Sequence, residues 1–249
     1  MELQNILEFM TVIFVSVLFG HNLWLVEKED EKIEVVTSDK FPESDSAVKP
    51  ERIADFRAIT DDGEIELKDY EITEKALIAN VGKNAKLVAL ELFPHPIVLE
   101  SEKFANYVKS EAAENRVGDL PDEAQSESYA KFAKVLLDAD SFDRIVGQKF
   151  EIVLRSKPKV GEKLAVEVLF DGEPIENLRV SIGAKHLNGG KYFAHSVSDA
   201  NGAAEFEISE GGLWFVRTHF IRPHISNDEF KWESFWASMT FRVESETAL

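Results

Sequence analysis

His21 follows an apolar stretch and opens the segment Asn22-Leu23-Trp24-Leu25-Val26. Cleavage after Gly20 would make it the mature N-terminus, carrying a free α-amine and an imidazole on one residue, a bidentate ligand for a divalent ion. Imidazole binds metal in its neutral form and suits zinc, copper, iron and nickel. His219 and Glu233 are the two further candidate ligands. His219 ends the run Trp214-Phe215-Val216-Arg217-Thr218, on the opposite face from Trp214 and Phe220, and the nearby chain carries Asp228, Glu229 and Glu233. Glu233 lies between Trp232 and Phe235-Trp236, so if buried it must be paired or hydrogen-bonded, and Arg217 is a rival partner for it.

The other histidines read as structural. His95 stands between Pro94 and Pro96 and is held extended, as a rigid turn before a helix. His186 and His195 flank the loop Asn188-Gly189-Gly190 and read as a surface turn, while Arg222-Pro223-His224 belongs to the chain near His219. No His-x-His or His-x-x-x-His pair exists, so the fold must assemble any metal site. The chain has no cysteine, which excludes disulfides, thiolate metal sites, thiol nucleophiles and cysteine lipidation. Asp199-Ala200-Asn201-Gly202 resembles the start of a calcium loop, but Ile208 stands where the bidentate glutamate is needed, and the segment reads as a hairpin turn. Ser234 and Ser238 have no Gly-x-Ser-x-Gly context, and there is no phosphate-cradling glycine loop. A non-enzymatic protein is expected. An enzyme using a mononuclear metal at the terminal histidine would lack a base in recognisable context.

Where the chain is processed decides the role of His21. Ile6 to Phe19 is an apolar run broken by Glu8. It is shorter than the roughly 20 residues of a membrane span and fits the h-region of a secretory signal. The n-region has no Lys or Arg, and Leu18 occupies the position three residues before the cut. The reading is residues 1–20 as signal peptide, or as a short anchor if uncleaved, with a periplasmic or extracytoplasmic location. Glu2 and Glu8 leave with the leader, so the net charge goes from −18 to −16. So acidic a chain repels phosphate backbones, and nucleic-acid binding is excluded.

The remaining 229 of the 249 residues read as mainly β. Strands are expected at Lys32 to Val36, Ile53 to Ile59, Ile65 to Leu67, Lys75 to Val81 and Lys86 to Phe93. After Pro96, Ser101 opens a helix with Phe104, Tyr107 and Val108 on one face. A loop over Glu114 to Gln125 follows. A second helix is expected over Ser126 to Leu137, where Tyr129, Phe132, Val135 and Leu136 form a stripe. From Gln148 the strands alternate cleanly, with Leu164, Val166, Val168 and Phe170 on one side and turns at Asp171-Gly172 and Ser198 to Gly202. These features predict two β-sandwich modules of the immunoglobulin-like or prealbumin-like kind. The first spans 21–147 with a two-helix insert at about 100–138, and the second spans 148–249.

Several motifs carry a family likeness. They are His21-Asn22-Leu23-Trp24-Leu25, Pro96 to Phe104, Tyr129-Ala130-Lys131-Phe132-Ala133-Lys134, Leu169 to Ile175, Ser198 to Gly202, Gly212 to His219 and, most specific, Trp232 to Phe241. In these the chain resembles a family of exported bacterial proteins catalogued as a domain of unknown function and associated with nickel or cobalt uptake. Asn22 and Leu18 depart from the family's usual pattern at the leading histidine and the cleavage site. The resemblance implies an extracytoplasmic accessory of metal uptake, with nickel or cobalt as ligand, copper and zinc as alternatives, and a membrane transporter component as partner. The competing expectation is an envelope module that docks to a transporter through its aromatic C-terminal segment and binds no metal.

Overall fold

The computed structural model describes residues 22–185, 192–226 and 229–245. The chain is mainly β. Its first part contains β1 (Asn22–Glu27), β2 (Lys32–Ser38), β3 (Ile53–Ile59), β4 (Glu64–Glu66), β5 (Tyr70–Ile72), β6 (Leu77–Asn80) and β7 (Leu87–Leu99). Two helices follow, α1 (Ser101–Ser110) and α2 (Glu114–Val117), and then β8 (Gln125–Leu136). The rest comprises β9 (Phe150–Leu154), β10 (Lys163–Phe170), β11 (Glu173–Pro174), β12 (Arg179–Ala184), β13 (Tyr192–Val197), β14 (Ala203–Glu207), β15 (Gly212–Pro223) and β16 (Trp232–Val243).

Eight strands form a central sheet in the order β13-β12-β15-β16-β8-β7-β3-β4. Strands from both sides of residue 147 share it, joined by the parallel pairing of β16 with β8. A four-stranded sheet, β1-β2-β6-β5, covers part of one face. There Leu23, Leu25, Ile33, Val35 and Leu77 pack on Phe56, Val88, Leu90, Ala133 and Val135. The sheet formed by β9, β10, β11 and β14 covers the other face. Its Ile152, Leu164, Val166 and Phe206 meet Leu87, Ala89, Phe132, Trp214, Val216 and Met239. The period-2 alternation along each central strand therefore feeds two cores, one on each side of the sheet.

The turn at Asp171-Gly172 has φ of 52° and 82°, the two consecutive left-handed residues of a tight hairpin. At the second expected turn, Asp199 Oδ1 accepts from the Asn201 and Ala203 amides, which makes it a hairpin device, as read. A Cβ at Gly202 would come within 2.6 Å of the Val168 carbonyl, so only glycine fits there.

The expected helix over Ser126 to Leu137 is a strand, β8. Its apolar stripe arises because β8 is central and covered on both sides: Phe132 and Leu136 enter one core, Ala133 and Val135 the other. A strand buried on both faces loses its alternation, and helical spacing appears in its place. The second helix is instead α2, inside the expected loop. Likewise, His95 is not in a rigid turn before the helix. It lies at an irregularity in β7, edge-on to Tyr129, and the strand continues to Leu99.

Candidate binding site around His219

Helix α1 is built by its apolar stripe. Phe104, Tyr107 and Val108, spaced three and four apart, pack against Leu99, Ala113 and Ile221. Ala112 adopts φ 53°, and the Ala113 amide returns to the Val108 carbonyl, closing the helix end. That packing sets Tyr107 over the β15–β16 pair, where His219 stands opposite Trp236.

His219 is buried, at 4% exposure, rather than a surface strand residue. Its Nε2 lies 2.6 Å from the Tyr107 hydroxyl. Tyr107 donates to Glu127 Oε1 at 3.3 Å, and Ser234 donates to the same oxygen. With the phenol hydrogen directed to Glu127, Nε2–H donates to the phenol oxygen and Nδ1 keeps a bare lone pair. Among the described residues Nδ1 has no hydrogen-bond partner, and neither does Glu127 Oε2. The Trp236 ring lies 4.5 Å from the imidazole and stacks on Tyr107 at 5.9 Å. Next along β15, Arg217 pairs with Glu111 at the end of α1 and lies 5.1 Å over Trp236.

Burial, with a lesser contribution from nearby Arg217, lowers the His219 pKa to about 4, so the ring is neutral at pH 7. Burial raises the Glu127 pKa to about 7, against the hydrogen bonds from Ser234 and Tyr107. Lys131, opposite Trp236 on β8, is lowered to about 8 by burial and then by the Arg52 charge. The arrangement holds one neutral imidazole whose Nε2 is hydrogen-bonded through a phenol to the Glu127 carboxyl; with the phenol hydrogen on the Glu127 side, Nδ1 is the open nitrogen. This is the support a ligating histidine receives in metal sites.

Two of the three candidate metal ligands, His219 and Glu233, fall on opposite faces of the central sheet. His21 lies outside the described residues, as do His186 and Asp228. Glu233 pairs with Arg222 at 2.6 Å, beneath Phe170, Phe220 and Phe235. On β16 it shares parity with Phe235, Ala237 and Met239, which enter the core opposite the His219 face. The structure thus separates His219 from Glu233 by the thickness of the sheet, and gives Glu233 to Arg222 rather than to Arg217. No group of three or more His, Asp or Glu able to hold an ion occurs among the described residues. His195 is not beside a loop; it stands on β13 opposite Ser181, with Nδ1 2.8 Å from the serine hydroxyl.

Sequence reasoning missed Glu127 and Glu111 and treated Tyr107 only as core. A signal for Glu127 existed, since Ser126-Glu127-Ser128 opens a segment that ends in an apolar run, but it needed β8 to be read as a strand.

The match to a family model spans residues 18–222, and the chain belongs to that family, a domain of unknown function (DUF4198). An uncharacterized protein of Haemophilus influenzae is 26% identical over 188 residues, which cover 73% of this chain and 76% of that protein. A BSP domain of a biofilm-associated protein is similar over 92% of this chain and 30% of its own, at 8% identity and a TM-score of 0.24. The D0–D1 domain of intimin is similar over 88% of this chain and 97% of its own, at 13% identity and a TM-score of 0.22. Scores this low carry no argument about function.

Proposed function

We propose that this protein is an exported, non-enzymatic binding protein for a divalent transition metal, nickel or cobalt first, acting as an accessory of metal uptake. The observation that supports it is His219: neutral at pH 7, its Nε2 tied through Tyr107 to Glu127, its Nδ1 buried without a partner. The second ligand would come from His21. Ser238 and Thr240 donate to the Leu23 and Leu25 carbonyls, so β1 runs along β16 and begins near Trp236, on the His219 face. Asn22 and Trp236 line the same small gap. Glu233 has no part in this site.

A second reading, a docking module without metal, draws support from the cations around Trp236. Arg217 lies over Trp236 and Lys131 stands opposite it on β8, and both oppose a divalent ion by simple repulsion. Calorimetric titration of nickel(II), cobalt(II), copper(II) and zinc(II) into protein processed before His21 separates the two. The metal reading expects saturable binding that is lost when extra residues precede His21 and falls at least about tenfold in His219→Ala, the scale of one lost ligand interaction. Glu233→Gln should bind as the unaltered protein does. No binding of any of the four ions would leave the docking module. Binding indifferent to extra residues would remove the amine-imidazole site.

A further inference from the structure

A separate cleft of about 270 Å3 opens between the end of the helical segment and the β12–β13 edge, lined by Asn115, Asn177, Arg179, His195, Ser196 and Val197. Ala112 and Val197 give it apolar walls, and Arg179 is the charged side chain that lines it. Arg179 donates one Nη1 hydrogen to the Ser110 carbonyl at 2.8 Å and forms no ion pair among the described residues. Arg116, in the narrow gap joining this cleft to His219, donates to the Glu176 carbonyl and packs over Phe220 at 5.1 Å, also without an ion pair. Acidic residues outnumber basic ones 46 to 28 in this chain, so an arginine lining a cleft with no carboxylate partner among the described residues, and a second such arginine in the adjoining gap, are unexpected. Of the nearby carboxylates, Glu111 is held by Arg217, and Glu176 lies beside Arg116 without contacting it as an ion pair. His195 reports the resulting field: burial and then the charges of Arg179 and Arg217 lower its pKa, which keeps it neutral.

We propose that this cleft is a binding site for a small oxyanion, a carboxylate or a phosphate, held by the Arg179 guanidinium. A guanidinium fork matches two oxygens of either group, and the remaining Arg179 donors are available for that contact. Asn115 and Asn177 supply amide donors at the rim, and the neutral His195 adds a ring beside them without repelling the arginine. The volume admits a compact anion rather than a nucleotide or a polymer. The proposal is independent of metal binding at His219.

Titration of the protein with inorganic phosphate and, separately, with succinate tests it, with sodium chloride at matched ionic strength as the control. Expected is saturable binding of at least one, weakened at least about tenfold in Arg179→Met, which is the scale of one lost charge-assisted contact. Arg179→Lys should retain part of it, and Lys163→Ala, on a distant strand, should retain it all. In the unaltered protein the His195 imidazole NMR signals should shift along the same saturation curve, so the proposal does not depend on any variant folding. Which of the two anions saturates tells a phosphate site from a carboxylate site. The proposal is overturned if neither anion gives a saturable response, if the His195 signals stay fixed, or if Arg179→Met binds as well as Lys163→Ala.

Discussion

Two glutamates, each 1% exposed, occupy neighbouring regions of this molecule and are treated in opposite ways. Glu151 on β9 takes the Lys134 ammonium at 2.6 Å, and its two oxygens accept amides from Val146, Gly147 and Gln148. The pair ties central strand β8 to the sheet packed against it, and every lone pair in use has a donor. Glu127, seven residues before Lys134 on the same strand, has no cation. One of its oxygens takes Ser234 and Tyr107, and the other has no partner among the described residues. Burial alone thus does not distinguish a structural charge from a candidate site; completeness of satisfaction does. Glu151 is a staple. The Glu127-Tyr107-His219 chain is open at both ends, and an open end is where a ligand can add a bond.

The largest effect should come from breaking the staple. Lys134→Met leaves a buried carboxylate without its counter-charge and should cost about 3–5 kcal/mol in denaturant unfolding. Lys134→Met combined with Glu151→Gln should restore a large part of that. A cost under about 1 kcal/mol for the single substitution would dissolve the contrast.

The open chain should show itself in pH dependence, with two slopes of opposite sign. Glu127 moves from the ordinary 4.5 up to about 7 on folding, so the folded state holds a proton that the unfolded state has released. Its stabilisation is complete below pH 4.5 and is lost as pH rises to about 7, a fall of about 3 kcal/mol. His219 moves from 6.5 down to about 4, so there the unfolded state holds the extra proton. Its stabilisation is complete above pH 6.5 and is lost as pH falls to about 4, again about 3 kcal/mol. The two contributions offset each other between pH 4.5 and 6.5. Relative to the unaltered protein, Glu127→Gln should therefore gain stability as pH rises from 4.5 to 7. His219→Gln should lose it from 4 to 6.5. Parallel curves for all three proteins in chemical denaturation would show that neither group is shifted.

The smallest effect belongs to the opposite face. The Arg222–Glu233 pair is partly exposed, and Glu233→Gln should change stability by about 1 kcal/mol or less. A loss as large as that of Lys134→Met would place Glu233 with the staples.

Much of this was legible in the residues, and the failures have a common cause. α1 could be read because a helix packed on one side keeps its 3.6 period, and β15 because its two faces differ in kind: Trp214 and Val216 enter one core, Phe215 the other side. β8 could not, since it is covered on both faces, and its Lys134, which looks like a solvent residue, is 1% exposed. The grouping of His219 with Glu233 failed for a different reason. Which face a residue takes relative to another on a neighbouring strand depends on register, here His219 opposite Trp236 and Arg222 opposite Glu233. A one-residue slip would reverse that face, and composition does not fix it.

The central claim is that His219 is a neutral imidazole with Nε2 protonated and Nδ1 open. Nitrogen-15 NMR of the histidine rings, followed from pH 4 to 8 and then with zinc(II) added at pH 7 to processed protein, reads that state directly. The account predicts a His219 ring that stays neutral down to about pH 4, with a pyridine-like Nδ1 signal that moves when zinc is added. Protonation near pH 6.5, a hydrogen on Nδ1, or an Nδ1 signal indifferent to zinc would contradict it.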